Sequence, residues 1–232
     1  MARLPRLGVA GWPHLLTQQV HDGQLLARDD TDRQDLLDAL REAARQHGVA
    51  VHAYQLGASA LVLLVTPERA DSASLFMQAV GRRYVANHNR RHGRQGGLWS
   101  GRYRGTVLDP ARYLLDAMVF TETPERSGGE WALSVGMGWS EWSSAPHHLG
   151  LRTDPLVTDA PGFWALGNTP FERQAAWRAR LQDGLGESRQ RELADAMHKG
   201  WALMPPDQQR VMEAAIGRPL SPRPRGRPRK LI

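Results

Sequence analysis

The 232-residue chain has no cysteine. Disulfides, thiolate metal sites and cysteine nucleophiles are therefore excluded, and a reducing, cytoplasmic setting is expected. It has no run of about eighteen uninterrupted apolar residues of the kind a membrane span needs, so no membrane partner is expected. No apolar stretch follows Met1–Leu7, so no signal peptide is expected either. Nine histidines are present, yet no two of them are spaced His-x-His.

Acidic residues are missing from two stretches. Between Ser72 and Leu108 there is none, while Arg82, Arg83, Arg90, Arg91, Arg94, Arg102 and Arg104 are present. After Glu213 there is again none, while Arg218, Arg223, Arg225, Arg227, Arg229 and Lys230 follow. The net charge is only +6, because the rest of the chain carries 17 basic against 24 acidic residues. Positive charge segregated in this way, nearly all of it on arginine forks, is the footprint of a phosphate-binding surface. DNA is the expected partner, with hairpin or single-stranded DNA as the form. Trp99 lies inside the arginine-rich loop Gly93–Gly101 and is the tryptophan expected to stack on a base.

The hydrophobic pattern places strands at His14–Val20, Val49–Leu56, Ala60–Val65 and Arg102–Leu108. Helices are expected from Asp30 or Thr31 as N-cap to Gly48, from Ser72 as N-cap through Tyr84, and from Asp109-Pro110 onward. This order is α+β, a ferredoxin-like β-α-β-β-α-β(-α) domain over residues 1–124, with helices expected on one face of the sheet. Residues 125–216 read as a tryptophan-containing irregular and helical C-terminal region, with helices near Pro170–Gln182 and Ser188–His198. Residues 217–232 are expected to be a disordered basic tail.

Short motifs recur in a fixed order along essentially the whole chain. They include Trp12-Pro-His14, His52-Ala-Tyr54, Leu63-Leu-Val-Thr-Pro67, Gly81-Arg-Arg-Tyr84, Asn89-Arg-Arg-His92, Leu98-Trp99 and Gly101-Arg-Tyr-Arg104. Trp142-Ser-Ser144, Asp154-Pro-Leu156, Phe171-Glu-Arg173 and Lys199-Gly-Trp201 continue the series. In this order the chain resembles the REP-associated tyrosine transposases, a branch of the HUH superfamily of single-strand transposases.

That resemblance implies a DNA-transposition chemistry with three parts. Two histidines on one strand face bind Mg2+ or Mn2+, which polarises the scissile phosphate. A tyrosine on the third helix attacks phosphorus and becomes linked to DNA. A polar residue one turn later completes the metal site. With His52-Ala-Tyr54 and Leu63-Leu64 as anchors, the histidine positions fall on Ala60 and Val62, the tyrosine on Phe120 and the polar ligand on Pro124. None of these four supplies the required donor or nucleophile. The expectation is a bacterial, nucleoid-associated DNA-binding protein with a degenerate active site, no cofactor and no intact catalytic residue.

Two rivals stay open: a nickase using Tyr113, seven residues before Phe120, and a pseudo-transposase that binds DNA by charge alone. His88 and His92, one turn apart, are expected to face phosphate, although that spacing also suits a metal. Glu122 is expected to be solvated or capping. Pro224-Arg-Gly-Arg-Pro-Arg-Lys230 resembles an AT-hook: Gly226 lets the backbone sink into a narrow minor groove, where Arg225 and Arg227 seek negative potential, flanked by Arg229 and Lys230. The DNA sequence and the oligomeric state are not legible.

Overall fold

Four strands, three of them buried along nearly their whole length, build one antiparallel sheet in the computed structural model, which describes residues 6–123 and 140–222. The strands are β1 (His14–Gln19), β2 (Val49–Leu56), β3 (Ala60–Pro67) and β4 (Arg104–Val107), in spatial order β2-β3-β1-β4 with every neighbouring pair antiparallel. Helices α1 (Asp30–His47), α2 (Ser72–Arg91) and α3 (Pro110–Glu122) follow β1, β3 and β4. This is the ferredoxin-like β-α-β-β-α-β-α order expected from the sequence.

Strand periodicity of two divides the side chains between two cores. Leu16 of β1 and Leu61, Leu63 and Val65 of β3 face α1 and α2, meeting Leu36, Leu40, Phe76, Val80 and Tyr84. Leu15 of β1 and Val62 and Leu64 of β3 face the other way, meeting Met118, Val119 and Phe120 of α3. A register shift between Val51 and Ala53 in β2 keeps Tyr54 and Leu56 on the first face after the bulge.

The expectation of helices on one face is corrected here, because an apolar second face cannot be left in water. Besides α3, that face is covered by α4 (Ala145–His148), α5 (Pro161–Trp164), α6 (Pro170–Asp183) and α7 (Glu187–Lys199). Trp177 of α6 is fully buried there with Phe163, Leu181, Leu193 and Met197, so the C-terminal helices share the sheet's core. A last helix, α8 (Pro206–Ile216), carries Met212 into a smaller cluster with Val107 and Leu220.

Several boundaries differ from the sequence reading. Asp29 is the N-cap of α1, its carboxylate accepting from Asp32 N–H at 2.9 Å. Gly48 ends that helix in the left-handed region, φ 62°, as expected of a C-cap glycine. Ser72 is the first residue of α2, and Asp71 is the N-cap. β4 spans Arg104–Val107 rather than Arg102–Leu108, and within it Gly105 packs closely against β1: a Cβ there would lie 2.4 Å from Leu16 Cδ2. The packed chain also extends past residue 217. Leu220 is 1% exposed, its N–H donates to Glu213 at 2.6 Å, and its carbonyl accepts from Ala202 at 3.0 Å.

Pro124, Trp131, Trp139 and the AT-hook residues Arg225, Gly226, Arg227, Arg229 and Lys230 lie outside the described residues. Among the described residues no helix is long and apolar enough to cross a membrane.

Candidate nucleic-acid interface

Ala60 and Val62 lie on the second face of the sheet, opposite Gln19 and Thr17 of β1. Both are buried, and Val62 shares its apolar cluster with Phe120 of α3. Val62 and Phe120, a strand and a helix position that the resemblance pairs, are therefore brought into one cluster, and the side chains of Ala60, Val62 and Phe120 are all hydrocarbon. Polar neighbours remain beside them. Thr17 and Gln55 flank Val62 across the sheet, and directly opposed residues of antiparallel strands point to the same face. Thr17 Oγ1 and Gln55 Oε1 are buried with no hydrogen-bond partner among the described residues.

Tyr113 does not face that cluster as a free phenol. Its hydroxyl donates to Glu192 of α7 at 2.8 Å, and the Arg189 guanidinium stacks 4.6 Å from its ring centroid. Burial, followed by the Glu192 carboxylate, raises its pKa. A nucleophile needs the opposite shift.

The expectation for Glu122 is overturned. It is fully buried and is the hub of a polar network. Its carboxylate accepts from His148 Nδ1–H at 2.6 Å, from Trp177 Nε1–H at 2.9 Å and from the Ser144 hydroxyl. A carboxylate buried in an apolar layer is tolerated when its lone pairs are filled in this way. The network ties α3 to α4 and α6, and that role is structural.

The basic residues gather elsewhere, at the β4 edge of the sheet. A cleft of about 530 Å3 is lined by Arg6, Arg102, Arg104, His198, Lys199 and Arg218, with Tyr103 and Trp201 between them and no acid in its wall. The floor is Leu16, Thr17 and Gln19 of β1. One wall is fixed by the Thr106 hydroxyl donating to Trp201 O and by Leu203 N–H donating to Val107 O at 2.8 Å. Opposite it, Ser100 N–H donates to Gln19 O at 3.0 Å, and Gln18 Nε2 donates to Gly101 O at 2.9 Å. Arg6 Nε donates to Tyr103 O at 2.9 Å, and its guanidinium lies over the Tyr103 ring at 4.0 Å.

Arg102 and Arg104 are exposed and lie within ion-pair reach of no acid among the described residues. Desolvation lowers the pKa of His198, and the Arg104 charge adds to that effect. Lys199 is exposed and paired with Asp195 at 2.6 Å.

Arginines of α2 and the loop after it divide into two kinds. Arg83 pairs with Glu42, and Arg91 pairs with both Asp29 and Asp32. Arg94 donates to Gln24 at 2.8 Å and Arg90 to Asn87 at 3.0 Å, while Arg82 is exposed. The stretch is acid-free in sequence, but the fold sets α1, with its acids, beside α2. Trp99 is half-buried against the first core, its ring 6.1 Å from that of Tyr84. His88 and His92 turn toward Asp32 on α1, so the expectation that they face phosphate is corrected: His92 Nε2–H donates to its carboxylate at 2.8 Å, and His88 Nε2 lies 3.8 Å away.

Of the arginines in the first acid-free stretch, Arg102 and Arg104 line the cleft, and Arg218 of the second stretch lines it too. Arg6, His198, Lys199 and Trp201 complete it from positions about a hundred residues away on either side. Lys199-Gly-Trp201 was the other local signal for this wall.

No protein-family model matches the chain, and no curated protein is significantly similar to it. Solved structures do match. A REP-associated tyrosine transposase in complex with a REP hairpin superposes with a TM-score of 0.52 at 17% identity, covering 69% of this chain and 96% of that one. A candidate transposase from Deinococcus radiodurans gives a TM-score of 0.35 at 24% identity, covering 50% of this chain and 92% of that one. The first likeness is one of fold: the chain carries a transposase-like α+β architecture.

Proposed function

We propose that this protein binds DNA, with a hairpin and its single-stranded flank as preferred form, and does not cut it. The observation that carries the reading is the cleft at the β4 edge, whose wall holds six basic residues and no acid. Phosphates entering it would meet the exposed guanidinium groups of Arg102 and Arg104, which have no acid within ion-pair reach among the described residues, while Tyr103 and Trp201 offer rings for unpaired bases. A similarly folded protein bound to a hairpin supports the choice of ligand.

The loss of cleavage rests on chemistry. Methyl and isopropyl groups at Ala60 and Val62 offer no lone pair to a divalent metal, and the Phe120 ring has no oxygen to attack phosphorus. The protein is therefore read as a relative of REP-associated tyrosine transposases that keeps recognition without strand transfer. Its basic tail, with the Arg225-Gly-Arg227 core, adds minor-groove contacts in A·T-rich duplex.

Fluorescence anisotropy with a labelled hairpin and a scrambled linear oligonucleotide, at several salt concentrations, tests the reading. Wild type should prefer the hairpin. Arg102→Ala with Arg104→Ala should weaken hairpin binding and reduce the slope of log affinity against log salt by about 2 units. Unchanged hairpin affinity in that double variant would remove the cleft from the interface.

A further inference from the structure

We propose that Asp32, His88 and His92 form a divalent transition-metal site, suited to Zn2+, that staples the first turn of α1 to the last turn of α2. His88 is the last residue of the buried stripe of α2 that runs through Phe76, Val80 and Tyr84. It is 1% exposed, and neither ring nitrogen has a hydrogen-bond partner among the described residues. A buried imidazole without partners costs about 1–3 kcal/mol unless something fills it. Its Nε2 lies 3.8 Å from Asp32 Oδ2, and His92 Nε2 lies 2.8 Å from the same oxygen. One ligand atom from each of the three residues lies within 4.8 Å of the others, so modest side-chain rotations bring them onto one ion. A tetrahedral ion with bonds near 2.0–2.1 Å needs neighbouring ligands about 3.3 Å apart, a spacing between the two distances seen here.

The donor set decides the metal. Two imidazoles and one carboxylate favour Zn2+ over Mg2+, which prefers an all-oxygen shell. Arg91 occupies the other oxygen of Asp32 and also holds Asp29, and Arg28 N–H donates to Asp32 Oδ2 at 2.9 Å, which together orient the carboxylate. On binding, the ion takes the place of the Nε2 proton of His92 and that proton moves to Nδ1, so both imidazoles ligate in their neutral form. This site is remote in chemistry from the Ala60/Val62 positions, uses none of their residues, and does not depend on the DNA-binding reading. It would fix the end of α2, from which residues 93–101 depart toward the cleft.

Titration of the metal-free, full-length protein with Zn2+, followed calorimetrically, tests the site. One equivalent should bind, and Co2+ should give the intense visible absorption of a low-coordinate site. His88→Gln and His92→Gln should each weaken Zn2+ affinity on the order of 100-fold, while the exposed His21→Gln should leave it unchanged. If the α2 variants fold poorly, the wild-type imidazole 15N resonances give the answer directly: those of His88 and His92 should shift with Zn2+. Absence of a one-equivalent site, affinity retained in His88→Gln, or shifts confined to His147 and His148 would overturn the proposal.

Discussion

The hydroxyl of Tyr113 donates a 2.8 Å hydrogen bond to Glu192, which commits the tyrosine nearest in sequence to Phe120 to holding α3 against α7. Tyr113→Phe should cost about 0.5–1.5 kcal/mol of stability, the worth of one hydrogen bond, and leave hairpin binding unchanged. Urea unfolding and anisotropy measure the two effects. A DNA-cleaving activity in the wild type that disappears in Tyr113→Phe would make this residue a nucleophile instead.

Glu122→Ala removes the acceptor for His148, Trp177 and Ser144 at once. The loss should be large, about 3–5 kcal/mol, because the partners are left buried and unpaired. Glu122→Gln, which keeps an oxygen, should cost less. Chemical denaturation of both variants checks this, and a loss under about 1 kcal/mol for the alanine variant would contradict the network's role.

Acid should destabilise the protein through His14. This residue is 1% exposed, its Nδ1–H donates to Trp12 O at 2.7 Å, and its Nε2 accepts from Val9 N–H at 3.2 Å. The ring is therefore held neutral, and burial lowers its pKa to about 4. The folded pKa lies below the unfolded value of 6.5, so the stabilisation is complete above pH 6.5 and is lost as pH falls through 4. The expected loss is up to about 3 kcal/mol, and His14→Gln should flatten the dependence across that window. His52 and His88, also lowered chiefly by burial, should add to the wild-type trend.

Much of this fold was legible because strand and helix periods differ. The run from Ala60 is continuously apolar, as a strand buried on both faces must be, the stripe Leu36, Leu37, Leu40, Ala43 matches the helix period, and Gly48 stands where only a glycine readily takes φ 62°. Residues 140–160 were not legible, since they pack as short bridges against β2 without a period of their own: Gln55 meets Ser143, and Val51 meets Val157. The site was half legible. Acid-free sequence marked Arg102 and Arg104, which the fold places in the cleft, but it also marked Arg83 and Arg91, whose neutralising acids come from α1 and its N-cap more than forty residues away. Likewise Glu122 reads as a solvated helix end until His148 and Trp177 are placed beside it.

The tail should act differently from the cleft. Deleting residues 223–232 removes five cations without touching Leu220, whose packing closes the cluster around Val107. Affinity for hairpin and linear DNA should fall together, and the salt slope should drop by up to about 4 units. Hairpin preference should survive, since a tethered basic segment raises local DNA concentration without reading shape. Loss of that preference on truncation would place shape recognition in the tail.

The central claim, binding without cleavage, is tested most directly by one gel-based measurement. Wild-type protein is incubated with an end-labelled hairpin carrying single-stranded flanks, in Mg2+ and in Mn2+, and equal samples are run under native and denaturing conditions. The account predicts a saturable native shift, weakened by Arg102→Ala with Arg104→Ala, and a full-length unmodified strand after denaturation. A denaturant-resistant protein–DNA adduct or a shortened strand would contradict it.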